Sequence, residues 1–171
     1  MNEEREFTVL VANKYNLSRK AIMILLSSLE SLRVVGEAGS GRETVEKTKE
    51  LRPDTVLVEM NFKDLTGRKL VARIKAIDSD IKVISLSTPE DCDFTYLSPG
   101  IDFDAYIGRN VSKEELKEVL EKVKSGEFYY PHMSETLSEF GASGAAKEKR
   151  HGYRKKLTGR EKQILSCIVQ G

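Results

Sequence analysis

Several side chains in this 171-residue chain are of types that do chemistry, and their spacing decides which can. The run Gly36-Glu37-Ala38-Gly39-Ser40-Gly41-Arg42-Glu43 has the glycine density of a phosphate-binding loop. Such a loop follows its last glycine with Lys and then Ser or Thr, which reach the phosphates and Mg²⁺. Arg42 and Glu43 supply neither, so the run reads as a turn between a strand and a helix. His132 and His151 have no carboxylate or thiol at useful spacing, which excludes a catalytic triad and a zinc centre. Cys92 lies among Glu90, Asp91 and Asp93, whose charge disfavours a thiolate nucleophile. Cys92 and Cys167 are far apart, so there is no disulfide framework either. The chemistry that is left belongs to residues at the ends of predicted strands: Asn13, Lys14, Glu59, Ser87 and Arg109.

The elements that position them follow from the hydrophobic pattern. Short apolar runs at Phe7–Ala12, Arg33–Ala38, Thr55–Glu59, Lys82–Ser87 and Asp104–Ile107 read as strands. Helical periodicity falls between them, over Leu17–Leu29 (with Asn16 as its cap), Arg42–Leu51, Lys69–Ile77 and, more weakly, Glu90–Leu97. A last helix, Ser112–Lys124, opens with Ser112 and Glu115 at capping-box spacing. Five βα units in a row predict an α/β fold, a five-stranded parallel doubly wound sheet with helices on both faces. In such sheets ligands bind beyond the C-terminal strand ends, where the strand order reverses.

Composition bounds the rest. Hydrophobic residues are 39%, charged residues 32%, and the formal net charge is +1, as expected of a folded water-soluble domain. No apolar run approaches the roughly 18 to 20 residues of a membrane helix, and Met1–Glu6 lacks a signal-peptide pattern, so a cytoplasmic location without membrane contact is expected. After Phe128-Tyr129-Tyr130-Pro131, an aromatic group expected to pack a linker against its domain, the texture becomes small and flexible at Gly141–Ala146. Between Lys147 and Lys162 stand eight basic and two acidic residues. Order resumes at Leu157, with Thr158 and Glu161 as a second capping pair. The expected organisation is a domain over 1–130, a flexible basic linker over 131–156 and a helical fragment over 157–171.

Three stretches in the first domain carry a resemblance: Val34-Val35-Gly36-Glu37-Ala38, Leu51-Arg52-Pro53-Asp54-Thr55-Val56-Leu57-Val58 and Val111-Ser112-Lys113-Glu114-Glu115-Leu116. Together they resemble the receiver domain of NarL/LuxR-type response regulators, a flavodoxin/CheY-like fold. The terminal Leu157-Thr158-Gly159-Arg160-Glu161-Lys162-Gln163-Ile164-Leu165 resembles the opening of the LuxR-type helix-turn-helix, of which only the first helix is present. The resemblance implies two-component phosphorelay signalling, transcription control and DNA binding.

It also implies a site in which two carboxylates after the first strand help hold Mg²⁺ and an Asp ending the third strand accepts a phosphoryl group. A hydroxyl and a Lys then bind the phosphoryl oxygens. Here the acidic pair falls on Asn13 and Lys14, the acceptor on Glu59, the hydroxyl on Ser87, the Lys on Arg109 and the aromatic switch position on Tyr106. One negative charge against two positive ones repels a divalent cation, so no metal, no cofactor, no phosphorylation and no enzymatic activity are expected. Glu59, one methylene longer than Asp, either holds an activated-like arrangement with Ser87 and Arg109 or pairs with Lys14 or Arg109 and closes the pocket.

The function expected is an atypical, phosphorylation-independent response regulator that homodimerises and controls transcription through a LuxR-type helix-turn-helix, truncated here, with DNA a partner only where that domain is complete. Lys155, Lys156 and Arg160 are weak candidates for DNA-backbone contact. Two alternatives stand beside it. One is a stand-alone interaction module that binds a partner regulator or kinase. The other is a sensor of a small anion in the altered pocket.

Overall fold

The computed structural model describes residues 5–65, 67–86, 103–127 and 129. The chain divides into two units, Met1–Pro131 and His132–Gly171, and all described residues belong to the first. Nine elements follow one another: β1 (Phe7–Ala12), α1 (Asn16–Ser27), β2 (Leu32–Ala38), α2 (Gly41–Leu51), β3 (Thr55–Glu59), α3 (Gly67–Ile77), β4 (Lys82–Leu86), β5 (Ala105–Ile107) and α4 (Lys113–Ser125). All strand pairs are parallel and the sheet order is β2-β1-β3-β4-β5. This is the five-stranded, doubly wound, CheY-like arrangement that the alternation of apolar strands and amphipathic helices predicts.

The central strands β1, β3 and β4 are largely apolar and buried because both faces of the sheet are covered. Successive side chains point to opposite faces. Leu10, Ala12, Val56, Val58 and Val83 pack with Val45 of α2 and Leu70, Val71 and Ile74 of α3. Val9, Val11, Leu57 and Ile84 pack on the other side with Leu26 of α1 and Leu116, Val119, Leu120 and Val123 of α4. Helices α2 and α3 therefore cover one face of the sheet, and α1 and α4 the other. The strand order reverses between β1 and β3, and the crevice beyond their C-terminal ends is the topological switch point.

Local signals account for most element ends. The Ser112 hydroxyl accepts from the Glu115 amide at 3.1 Å and starts α4, as its spacing predicts. Gly126, at φ 85°, ends it in the left-handed conformation that glycine adopts without strain. The Ser40 hydroxyl caps α2 through Glu43 N, 3.2 Å.

The start of α1 departs from expectation. Asn16 does not cap it: Asn16 is the first helical residue, and Tyr15, at the cap position, makes no side-chain cap bond. The Asn16 amide oxygen is instead taken by Arg19 Nη2 at 3.0 Å, while Asn13 Oδ1 accepts from Tyr15 N at 2.8 Å. The turn is thus organised by Asn13 rather than Asn16. The helix also stops at Ser27, although Leu29 still packs in the core.

The chain after α4 returns to the open edge of β5. Tyr129 bridges Ala105 in parallel, with Tyr106 N donating to Tyr129 O at 2.9 Å. This covers part of an otherwise unpaired strand edge. The predicted helix Glu90–Leu97, the linker over 131–156 and the fragment over 157–171 lie outside the described residues. Among the described residues no helix is long and apolar enough to cross a membrane.

Candidate functional site

The crevice at the switch point is built from three strand ends. β3 delivers Glu59 as its last residue, and the sheet seals it so fully that only 1% of its surface is exposed. β1 delivers Asn13 and Lys14 just past Ala12. β5 delivers Arg109, two residues past Ile107. Registers align these ends: Ala12 pairs with Val58, and Glu59 pairs with Leu86.

Arg109 Nη2 donates to Glu59 Oε2 at 2.9 Å, and the guanidinium side chain is 38% exposed. The other carboxylate oxygen, Oε1, is buried and has no hydrogen-bond partner among the described residues. An ion pair with one partner in the core and one at the surface recovers part of the desolvation cost of the carboxylate. An unsatisfied buried oxygen retains a penalty of about 1–3 kcal/mol, more when charged. Glu59 is paired with Arg109, a contact common to both arrangements open to it, and no ion pair joins it to Lys14 among the described residues.

Lys14 turns elsewhere. Its Nζ donates to the carbonyl of Asn61, two residues past β3, at 3.0 Å, and lies 5.0 Å from the centre of the Tyr15 ring. Asn13 is buried and its oxygens are committed: Oδ1 accepts from Tyr15 N, and its carbonyl accepts from Arg19 Nη1 at 2.7 Å. Tyr106 is half-buried on β5, its main chain tied to Tyr129. Ser87 lies outside the described residues, as do Lys155, Lys156 and Arg160.

Two residues that sequence reasoning did not single out shape this end of the sheet. Arg19 Nε donates to Glu37 Oε2 at 2.8 Å, while its two other nitrogens hold Asn13 O and Asn16 Oδ1, so one guanidinium braces the β1–α1 turn that carries Lys14. Lys20 adds a second ion pair to Glu37 at 2.5 Å, and the hydrogen bonds from Lys20 and then Arg19 hold the Glu37 carboxyl below its usual range. Asp64, in the loop after β3, accepts from Gly41 N at 3.0 Å and Arg42 N at 2.9 Å. It thereby supplies a carboxylate to the positive end of α2. Those backbone donors, Arg42 first, lower the Asp64 carboxyl below its usual range. Twenty-odd residues separate donor and acceptor, so no local pattern announces the contact.

The residues present do not fit a divalent cation. Mg²⁺ requires a near-octahedral set of oxygens, anionic ones among them. At the end of β1 stand an amide whose oxygen is already in use and an ammonium. Among the described residues no group of three or more His, Cys, Asp or Glu side chains could hold a metal ion.

Comparison with known proteins decides the family. The model of the response regulator receiver domain matches residues 9–121. This chain belongs to the response regulator receiver family. Among its relatives are the nitrate/nitrite response regulator protein NarL of Escherichia coli K12, 28% identical over 175 residues covering all of this chain and 79% of NarL, and the response regulator protein VraR of Staphylococcus aureus, 29% identical over 163 residues covering 95% of this chain and 76% of VraR. A LuxR-family DNA-binding response regulator from Staphylococcus aureus superposes with a TM-score of 0.62 at 25% identity, over 68% of this chain and 98% of that one. The response regulator RcsB of Salmonella typhimurium gives a TM-score of 0.71 at 19% identity, over 98% of this chain and 79% of that one, a likeness of fold. The receiver is thus related to those of NarL/LuxR-type transcription regulators.

Proposed function

We propose that this chain is an atypical response regulator of NarL/LuxR type whose receiver signals without being phosphorylated. It homodimerises, and it controls transcription through a LuxR-type helix-turn-helix, whose opening the sequence of residues 157–171 resembles. The observation that carries this reading is the pair between buried Glu59 and Arg109. The position that accepts a phosphoryl group in this family holds a carboxylate already neutralised by the cation of the β5 end. No anionic oxygens stand at the β1 end to bring in the metal that phosphoryl transfer needs. The receiver then performs no enzymatic step, and its input reaches it by protein contact, from a second copy, a partner regulator or a kinase. DNA affinity from Lys155, Lys156 and Arg160 alone is sequence-independent and falls steeply with salt, so promoter reading belongs to a complete helix-turn-helix.

The anion-sensor alternative draws less support. An incoming anion has to displace Glu59 from Arg109, and the unpartnered Oε1 repels it.

Incubation with acetyl phosphate and Mg²⁺ followed by intact mass measurement tests the central point. No adduct is expected; a gain of about 80 Da, lost in Glu59→Gln, refutes the reading. Sedimentation of the wild type and of Glu59→Gln and Glu59→Ala tests the second. Self-association of the wild type, altered in the variants, is expected; a monomer at all concentrations removes homodimerisation.

A further inference from the structure

The disagreement between this crevice and the metal that its family uses has a specific form. The β1 end does not merely lack oxygens; it offers a cation of its own. Lys14 Nζ sits 3.0 Å from the Asn61 carbonyl, at the mouth of β3 and two residues from Glu59. That carbonyl belongs to the residue two past Glu59, whose carboxylate keeps one buried, unpartnered oxygen, and a carbonyl is the kind of oxygen a hard cation takes. The loop that carries Asn61 is pinned at its far end as well. Asp64 holds the N-terminus of α2, and Leu65 lies so close to Gly41 that a Cβ there would meet Leu65 Cβ at 2.6 Å and its carbonyl at 3.1 Å. Residues 60–65 are thus held between a β1 ammonium and the α2 N-terminus.

We propose that Lys14 is a tethered cation standing in for a divalent metal: it holds the loop after β3 through Asn61 and makes the receiver insensitive to Mg²⁺. Lys14 is a positioning residue in this role. An ammonium is monovalent and covalently attached, so the loop is held at all times and does not answer to metal concentration or to phosphoryl chemistry. The proposal deepens the phosphorylation-independent reading and rests on it.

The test compares the full chain with Lys14→Met and with the double variant Asn13→Asp/Lys14→Asp, by thermal melting with and without millimolar Mg²⁺ and by amide hydrogen exchange of residues 60–65. The wild-type melting temperature is expected not to move with Mg²⁺. Lys14→Met exchanges faster at residues 60–65 and stays unresponsive to Mg²⁺. The double variant turns the crevice from net positive to net negative and gains about 2–4 °C with Mg²⁺. A wild-type rise with Mg²⁺, unchanged exchange in Lys14→Met, or a folded double variant that ignores Mg²⁺ overturns the proposal; if the double variant does not fold, the wild-type melt and the Lys14→Met exchange decide alone. The acetyl phosphate mass experiment reports separately on the phosphorylation-independent reading, so the two can fail independently.

Discussion

Arg109 reaches one oxygen of the Glu59 carboxylate at 2.9 Å and leaves the other buried without a partner. The pair is therefore asymmetric: its anion is sealed in the sheet, and its cation stands partly in solvent. Removing the cation strands a charge, whereas removing the anion leaves an arginine that water can solvate.

Arg109→Ala is expected to destabilise the receiver by about 2 kcal/mol, below the range for a fully buried pair because Arg109 is partly solvated. Glu59→Gln costs less. The combination of Glu59→Gln with Arg109→Ala is less destabilised than the sum of the two single variants, by urea denaturation at neutral pH. Strict additivity sets the pair aside as a structural element.

Asp64 acts on a helix to which it does not belong. Asp64→Asn keeps the shape and loses the charge at the α2 N-terminus, at a cost of about 1 kcal/mol near neutral pH. The Asp64 carboxyl is lowered in the folded state, so its contribution is complete above the unfolded value of about 4 and is lost as pH falls through the folded value. The difference between wild type and variant should shrink as melts are taken from pH 6 down to pH 3. A constant difference assigns the loss to shape rather than charge.

Gly41→Ala is expected to cost about 2 kcal/mol, since the new Cβ meets Leu65 Cβ and main chain. Leu65→Ala retains both of those atoms, so the double variant is not rescued. Recovery in the double variant, by thermal melting, places the clash in the outer part of the leucine instead.

Arg19→Ala removes three hydrogen bonds at once, to Glu37, Asn13 O and Asn16 Oδ1. A loss of about 1–2 kcal/mol is expected, with faster amide exchange confined to the β1–α1 turn. Lys20→Ala, whose ion pair to the same Glu37 is half in solvent, costs well under 1 kcal/mol. Equal losses in the two variants refute the bracing role of Arg19.

The fold was legible because its signals are local. Apolar strands such as Thr55–Glu59 alternate with helices that carry one apolar stripe, and Ser112 with Glu115 marks a helix start within four residues. Parallel strands joined by helices bring their C-terminal ends to one edge of the sheet, so Asn13, Lys14, Glu59 and Arg109 could be placed along that edge from sequence order, and the family resemblance grouped them into one site. Partner choice inside the crevice was not legible. Glu59 had two cations within its reach in principle, and tertiary packing gave it Arg109 from β5 while sending Lys14 to the Asn61 carbonyl. Asp64 met the α2 N-terminus across 22 residues of chain, and Arg19 diverted Asn16 from the cap its type suggested. Secondary structure follows from interactions among near neighbours along the chain. A side chain's hydrogen-bond partner depends on which strand ends the closed sheet brings within about 3 Å, and that distance is set only when both faces of the sheet have packed.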